Sequence, residues 1–193
     1  MMAKINTRDQ IVVVADNLFY QRGFEITSFA DIADVVKISR GNFYYHFKTK
    51  DQILDAVIAK RLADRQAMLA QWEIEGETPA DRIRSFINIL IVNKEKIKSY
   101  GCPIGTLSTE LAKLNHDAAN EANELFTLFR TWLHRQFELM GRKNDADQLA
   151  MHVLAHSQGV ATLSNAFGEE TFLQNEVNQI MNWLSEIEQQ CAA

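Results

Sequence analysis

Glycine and proline are scarce in this sequence, with eight and two among 193 residues. Together they make up about 5% of the chain, against roughly 12% in an average protein. Chains that turn often draw on these residues, so a many-stranded sandwich or barrel is disfavoured and a mostly helical protein is expected. Cysteine is scarcer still: Cys102 and Cys191 cannot build a disulfide framework or a four-thiolate zinc site, and they suit a reducing cytosol. Long hydrophobic runs are missing too. Ile11–Ala15 and Ile89–Val92 fall far short of the ~20 residues that span a bilayer. The opening stretch MMAKINTRDQIVVVADNLF holds only a short apolar run before Asp16 and no small-residue cleavage site, so a signal peptide is not expected. The chain reads as a soluble, cytoplasmic protein.

Apolar residues at 47% and charged residues at 23% describe a folded globular chain. The net charge of −5 speaks at first against a nucleic-acid partner. Its distribution changes that inference. Residues 1–50 carry seven Lys and Arg against five Asp and Glu, a balance of +2, whereas the remainder stands at −7. Such asymmetry points to two jobs in one chain.

The first 50 residues are dense in helix punctuation. Thr7 with Gln10 has the form of a capping box opening a helix whose Ile11, Val14, Ala15, Leu18 and Phe19 recur at helical spacing. Gly23, after Arg22, should end it. Ser28 with Asp31 is a second box, Ser39 caps a third helix after a break at Lys37–Ile38, and Thr49 with Gln52 opens a long fourth helix. Beyond residue 50 the pattern predicts long helices over roughly 50–73, 79–99, 104–114, 116–141, 145–167 and 170–190. Loops fall at Glu75–Pro79, Gly101–Gly105 and Gly141–Asn144. The fold class is all-α, with about nine helices and no repeat or linker.

Residues 28–47, SFADIADVVKISRGNFYYHF, place two short helices around a tight turn, the layout of a helix-turn-helix whose second helix enters the major groove. Arg40 can pair with guanine or phosphate, and Asn42 can offer its amide to a base. Gly41 lets the backbone approach DNA, and Tyr44, Tyr45 and His46 can reach phosphate. Phe43 and Phe47 belong on the inner face with Ile32 and Val36; packing the small domain is the competing role for Tyr44.

The residues Gly23–Phe24, Thr27–Ala33 and Ile38–Leu54 together resemble the N-terminal signature of TetR/AcrR-type transcriptional regulators, over roughly residues 8–55. The resemblance implies a DNA-binding domain at 1–48, a ligand-binding and dimerisation domain at 49–193, and a homodimer that binds a palindromic double-stranded operator. In such proteins a ligand changes the separation of the two heads and usually releases DNA. Position by position it places Arg40, Gly41, Asn42, Tyr44, Tyr45 and His46 at DNA, with Thr27, Ser28 and Lys50 at phosphate. Ala30 stands where some relatives carry a longer polar side chain, so less base readout is expected from the second helix.

A cavity between helices is the expected effector site. Phe126, Phe129, Trp132, Leu133, Met140, Met151, His152, Leu154 and His156 are candidates to line it, and plain core packing competes for all of them. Their character favours an apolar or aromatic small molecule. Cys102, before Pro103 at a helix start and near Lys96 and Lys98, has the setting of a reactive thiol. Part of the family with a Gly-Cys stretch here includes electrophile- or oxidant-responsive repressors; a small packing residue is the other reading. His152 and His156, four apart, could ligate a metal, but two ligands make a weak site, so no metal or other cofactor is expected. The resemblance puts the dimer interface on the last two helices, at Val153, Gly159, Val160, Leu163, Phe167, Val177, Ile180, Met181 and Leu184, with intramolecular core as the alternative.

No phosphate loop, nucleophile elbow or third metal ligand is recognisable. The expectation is a ligand- or stress-responsive repressor and not an enzyme. Its alternatives are a DNA-binding activator and a small helical metal-dependent hydrolase.

Overall fold

The computed structural model describes residues 6–192, so the first five residues of the stretch weighed as a leader lie outside it. The described chain forms ten α-helices and no strand. They are α1 (Thr7–Arg22), α2 (Phe29–Val36), α3 (Arg40–His46), α4 (Lys50–Glu75) and α5 (Pro79–Val92), then α6 (Lys94–Tyr100), α7 (Pro103–Lys113), α8 (Ala119–Leu139), α9 (Ala146–Phe167) and α10 (Glu170–Ala192). They group into two compact units. One takes the chain to Asp64 and adds Thr106–Glu124; the other is Arg65–Gly105 with Leu125 onward.

In the first unit α1 is capped by Asn6 rather than by the expected Thr7: the Asn6 side chain accepts the Asp9 N–H at 2.8 Å. The helix stops at Gly23, whose φ of 100° lies where only glycine is unstrained. Ile11, Ala15 and Phe19 of α1 pack with Ile32 of α2, Phe43 of α3, and Phe24 and Phe47 from the connecting segments. Ile53, Leu54 and Val57 of α4 and Leu107 and Leu111 of α7 complete this core. Each of the larger side chains among them, the Ile, Leu, Val and Phe residues, contributes roughly 1.5–3 kcal/mol on burial. Arg61 of α4 is buried and donates from Nε to Asp16 Oδ1 of α1 at 2.7 Å.

The segment expected to begin a helix at residue 116 begins it at Ala119. Asn115 sits at φ 50°, and the His116 ring takes the Ala118 N–H at 3.1 Å, so the turn persists three residues longer.

In the second unit α10 packs on α5 and α9, and α6 packs on α9. The single helix expected over 79–99 is broken at Asn93. Its side-chain amide donates to Ile89 O at 2.9 Å, competing with the regular bond from its own N–H, and its backbone leaves the helical region at φ −105° and ψ 13°, so α5 ends and α6 restarts at once. A further capping box, Thr78 with Asp81 around Pro79, opens α5.

Candidate nucleic-acid interface

Two reciprocal bonds start α2. Ser28 Oγ accepts the Asp31 N–H at 3.2 Å, and Asp31 Oδ2 accepts the Ser28 N–H at 2.8 Å. The Ser28 hydroxyl and N–H, with Arg22 at 3.8 Å, hold the Asp31 carboxyl below the usual carboxylate range. Lys37 closes α2 in the left-handed region at φ 58°, giving the tight turn, and Ser39 Oγ accepts the Asn42 N–H at 3.3 Å to start α3.

A helix of seven residues does not persist alone in water. Phe43 and Phe47 bury its inner side almost completely. The opposite side presents Arg40, Gly41, Asn42, Tyr44 and Tyr45 to solvent, with His46 half-buried beside them. Tyr44 rests on Phe29 of α2 with ring centroids 5.5 Å apart, and Tyr45, 77% exposed, stands against His46 at 5.2 Å. Phe29 also meets Phe43 at 5.1 Å, which fixes α3 against α2. A side chain on Gly41 would meet nothing within 4 Å, so its absence serves no internal packing. Ser28 and Ala30 are exposed on α2 and its cap.

All three residues expected at phosphate are engaged within the chain, Ser28 by giving both its N–H and its hydroxyl to Asp31. Thr27 is 1% exposed, and its hydroxyl donates to Gly23 O at 2.6 Å. Lys50 Nζ donates to Phe24 O at 3.0 Å and Glu25 O at 2.9 Å, and lies 4.3 Å from the centre of the Phe24 ring. The same two residues donate their N–H groups, each at 2.9 Å, to the Glu110 carboxylate of α7. Glu110 is a site residue that the linear sequence does not mark. It lies 86 and 85 residues from Phe24 and Glu25, and no local pattern signals such a bond.

The expected effector residues do not form one constellation. Phe129 and Trp132 join an aromatic row in the order Phe129, Phe86, Trp72, Trp132, with adjacent centroids 5.1–6.5 Å apart. Trp132 Nε1 donates to Glu73 Oε1 at 3.1 Å, and the fully buried Gln136 reaches the same oxygen at 3.4 Å. Leu133 and Leu154 are core, while Phe126 and Met140 are half-buried. Met151 and His152 are exposed, His152 lying 4.5 Å from the Trp183 ring, and His156 meets Glu176 of α10 at 3.3 Å. No cluster of three or more metal-ligating side chains occurs among the described residues. Cys102 is half-buried; its Sγ accepts the Gly105 N–H and the Gln158 amide, both at 3.4 Å. A cleft of about 340 Å³ lies among Ile91, Lys94, Lys98, Ser164 and Leu173, and none of the expected effector residues lines it.

The residues expected at a dimer interface divide by face. Val153, Val160, Val177, Ile180 and Leu184 are buried in the unit's own core. Gly159, Leu163 and Phe167 are exposed, and Met181 is half-buried. No helix among the described residues is long and apolar enough to cross a membrane.

Comparison with known proteins adds to this geometry. Residues 11–57 match the family model for bacterial regulatory proteins of the tetR family, and residues 79–179 match the C-terminal domain model for LmrA/YxaF-like transcriptional regulators. A probable HTH-type transcriptional regulator of Pseudomonas putida, ArpR, is 40% identical over 80% of this chain and 78% of its own. An uncharacterised HTH-type regulator of Lactococcus lactis is 31% identical over 63% of each chain, so just under two thirds of that relative is spanned. The crystal structure of a TetR transcriptional regulator from Legionella pneumophila superposes with a TM-score of 0.83 at 26% identity, covering 95% of this chain and 98% of that one.

Proposed function

We propose, from the premise that the chain belongs to the TetR family of bacterial transcriptional regulators, that it is a repressor that binds a palindromic DNA operator as a homodimer and lets go when a small apolar or electrophilic effector arrives. The division into a reading head, residues 1–48, and an effector and dimerisation part, residues 49–193, belongs to the same proposal. The observation that carries it is the two-sided character of α3. Its inner side is locked by Phe43 and Phe47, and every remaining side chain faces outward or is half-exposed with a donor or acceptor suited to DNA. Arg40 and Asn42 supply base-edge chemistry, Tyr44, Tyr45 and His46 supply phosphate contacts, and Gly41 lets the backbone approach. Ser28 and Lys50 serve the frame of the reading head, since both Ser28 donors go to Asp31 and the Lys50 ammonium goes to the Phe24 and Glu25 carbonyls.

Homodimerisation is supported by a row on α9. Met151, Ala155, Gly159, Leu163 and Phe167 recur at four-residue spacing, and all are exposed in the single chain. Such a row packs against its own copy across a two-fold axis, and Gly159 permits close approach.

The effector reading draws on Cys102. The Gly105 N–H and the Gln158 amide hold its sulfur in place, and a cysteine thiolate adds to an electron-poor alkene carbon of a quinone or maleimide. The new C–S bond forms as the alkene π pair moves toward the carbonyl, and solvent returns one proton to the adduct. The aromatic row around Trp72 and Trp132 is the apolar alternative. Gel-shift titration against the chain's own upstream DNA tests the main reading, with Tyr45→Ala as the control. Retardation by the wild-type chain that weakens in the variant is expected; no retarded band at low salt overturns it. Release by N-ethylmaleimide in wild type but not in Cys102→Ser supports the thiol, and equal release in both removes it.

A further inference from the structure

We infer that Glu110 and Lys50 form a charged clamp that sets the pose of the helix-turn-helix, Glu110 acting as a positioning residue for operator recognition; this rests on the DNA-binding reading above. The peptide groups of Phe24 and Glu25 are gripped on both of their polar sides. Glu110 Oε2 accepts the N–H of Phe24 and Oε1 that of Glu25, each at 2.9 Å. Lys50 Nζ donates to the carbonyls of the same two residues at 3.0 and 2.9 Å. Hydrogen bonds with an ionised partner are about twice as strong as neutral ones, and four of them converge here on two residues.

The Phe24 side chain is held as firmly as its backbone. It is almost fully buried, with the Lys50 ammonium over its ring and the Phe19 and His116 rings near-perpendicular to it, centroids 5.2 and 5.1 Å away. Gly23 gives the carboxylate room, because a Cβ there would stand 2.9 Å from Glu110 Oε1. Only Ile26, Thr27 and Ser28 separate the clamped residues from the first residue of α2, and Thr27 ties this short span back to Gly23 O. The direction of α2 is therefore set at the clamp and passed to α3 through Phe29 and Phe43. The stability gained from partly exposed charges is small, whereas four directed bonds give orientation.

The test compares wild type with Glu110→Gln, which keeps the size, removes the charge and turns an N–H toward one of the two amides. Each protein is titrated against a duplex that the wild type enriches from a random pool and against an unselected duplex. The affinity of Glu110→Gln for the enriched duplex should fall about tenfold or more. Binding to the unselected duplex, driven by overall charge, should change less than about twofold. Amide exchange at Phe24 and Glu25 should quicken while the buried amides of α1 and α4 keep their protection. Glu110→Asp, which restores the charge on a shorter arm, should recover part of the selectivity, and it serves the same comparison if the glutamine variant is unfolded. Equal losses on both duplexes, or no loss and unchanged exchange, overturn the inference. A wild-type chain that enriches no sequence counts against the DNA-binding reading instead, and exchange at Phe24 and Glu25 then judges the clamp by itself.

Discussion

Glu110 occupies the space that a side chain on Gly23 would need: the nearest approach to a Cβ built on the glycine is 2.9 Å, to Oε1. Gly23 also sits at φ 100°, so replacement there meets backbone strain and a displaced carboxylate together. Gly23→Ala is expected to cost about 1–3 kcal/mol, read from urea denaturation. A change below a few tenths of a kcal/mol would mean that the loop relaxes freely and that the glycine is not required.

Tyr45 and Phe43 are two residues apart on α3 and should fail in opposite ways. Tyr45→Ala removes a side chain that is 77% exposed, so the melting temperature should hold while DNA affinity falls. Phe43→Ala empties a core position and should cost about 3–5 kcal/mol of stability. Thermal melts and DNA titrations on both variants check this, and a matched loss of stability in the two would contradict the assigned faces.

Acid should loosen the start of α2. The Asp31 carboxyl is held below its ordinary value chiefly by the Ser28 hydroxyl, then by the Ser28 N–H. A depressed folded value means that the stabilisation is present above the unfolded pKa of about 4 and is lost as pH falls through the folded one. Asp81, capped in the same way by Thr78, shares that direction. Melting temperatures from pH 7 down to 2.5 should therefore show a smaller acid-side slope in Asp31→Asn than in wild type. Identical slopes would count against the box as a titrating contact.

Leu163 and Phe167 are 42% and 71% exposed on the α9 row. Placing like charges there, as Leu163→Glu with Phe167→Glu, should turn a dimer into a monomer at micromolar concentration without unfolding the unit. Light scattering with a circular dichroism spectrum distinguishes the outcomes. A wild-type chain that is already monomeric overturns the row as an interface.

The helix-turn-helix was legible because its determinants are local. The Ser28–Asp31 box, the stop at Gly23, the cap at Ser39 and the Phe43–Phe47 pair act over three or four residues, the range that a linear pattern records. Asn6 displaced Thr7 as first cap because adjacent cap-forming residues compete within one turn, and spacing alone does not rank them. The break at Asn93 depends on a side-chain amide folding back on its own helix, which an unbroken apolar period hides. Thr27, Lys50 and Glu110 carry no such local signal, since their roles are decided by partners met only after folding. The aromatic residues proposed as a pocket followed the helical period, and that period does not say which neighbouring helix each face will meet. Trp132 found Trp72 and Glu73, while His152 found Trp183.

The brevity of α3 has a consequence for the energetics of recognition. Seven residues that cannot hold a helix alone are fixed in the free protein by two phenylalanines, so their ordering has been settled during folding. DNA then meets a rigid die rather than a chain that must be organised on contact. Association with a cognate duplex should accordingly show a modest heat-capacity change, far from the large negative value of coupled folding and binding. It should also be lost at the same temperature as the core that carries Phe43 and Phe47, with no earlier fraying of the reading helix.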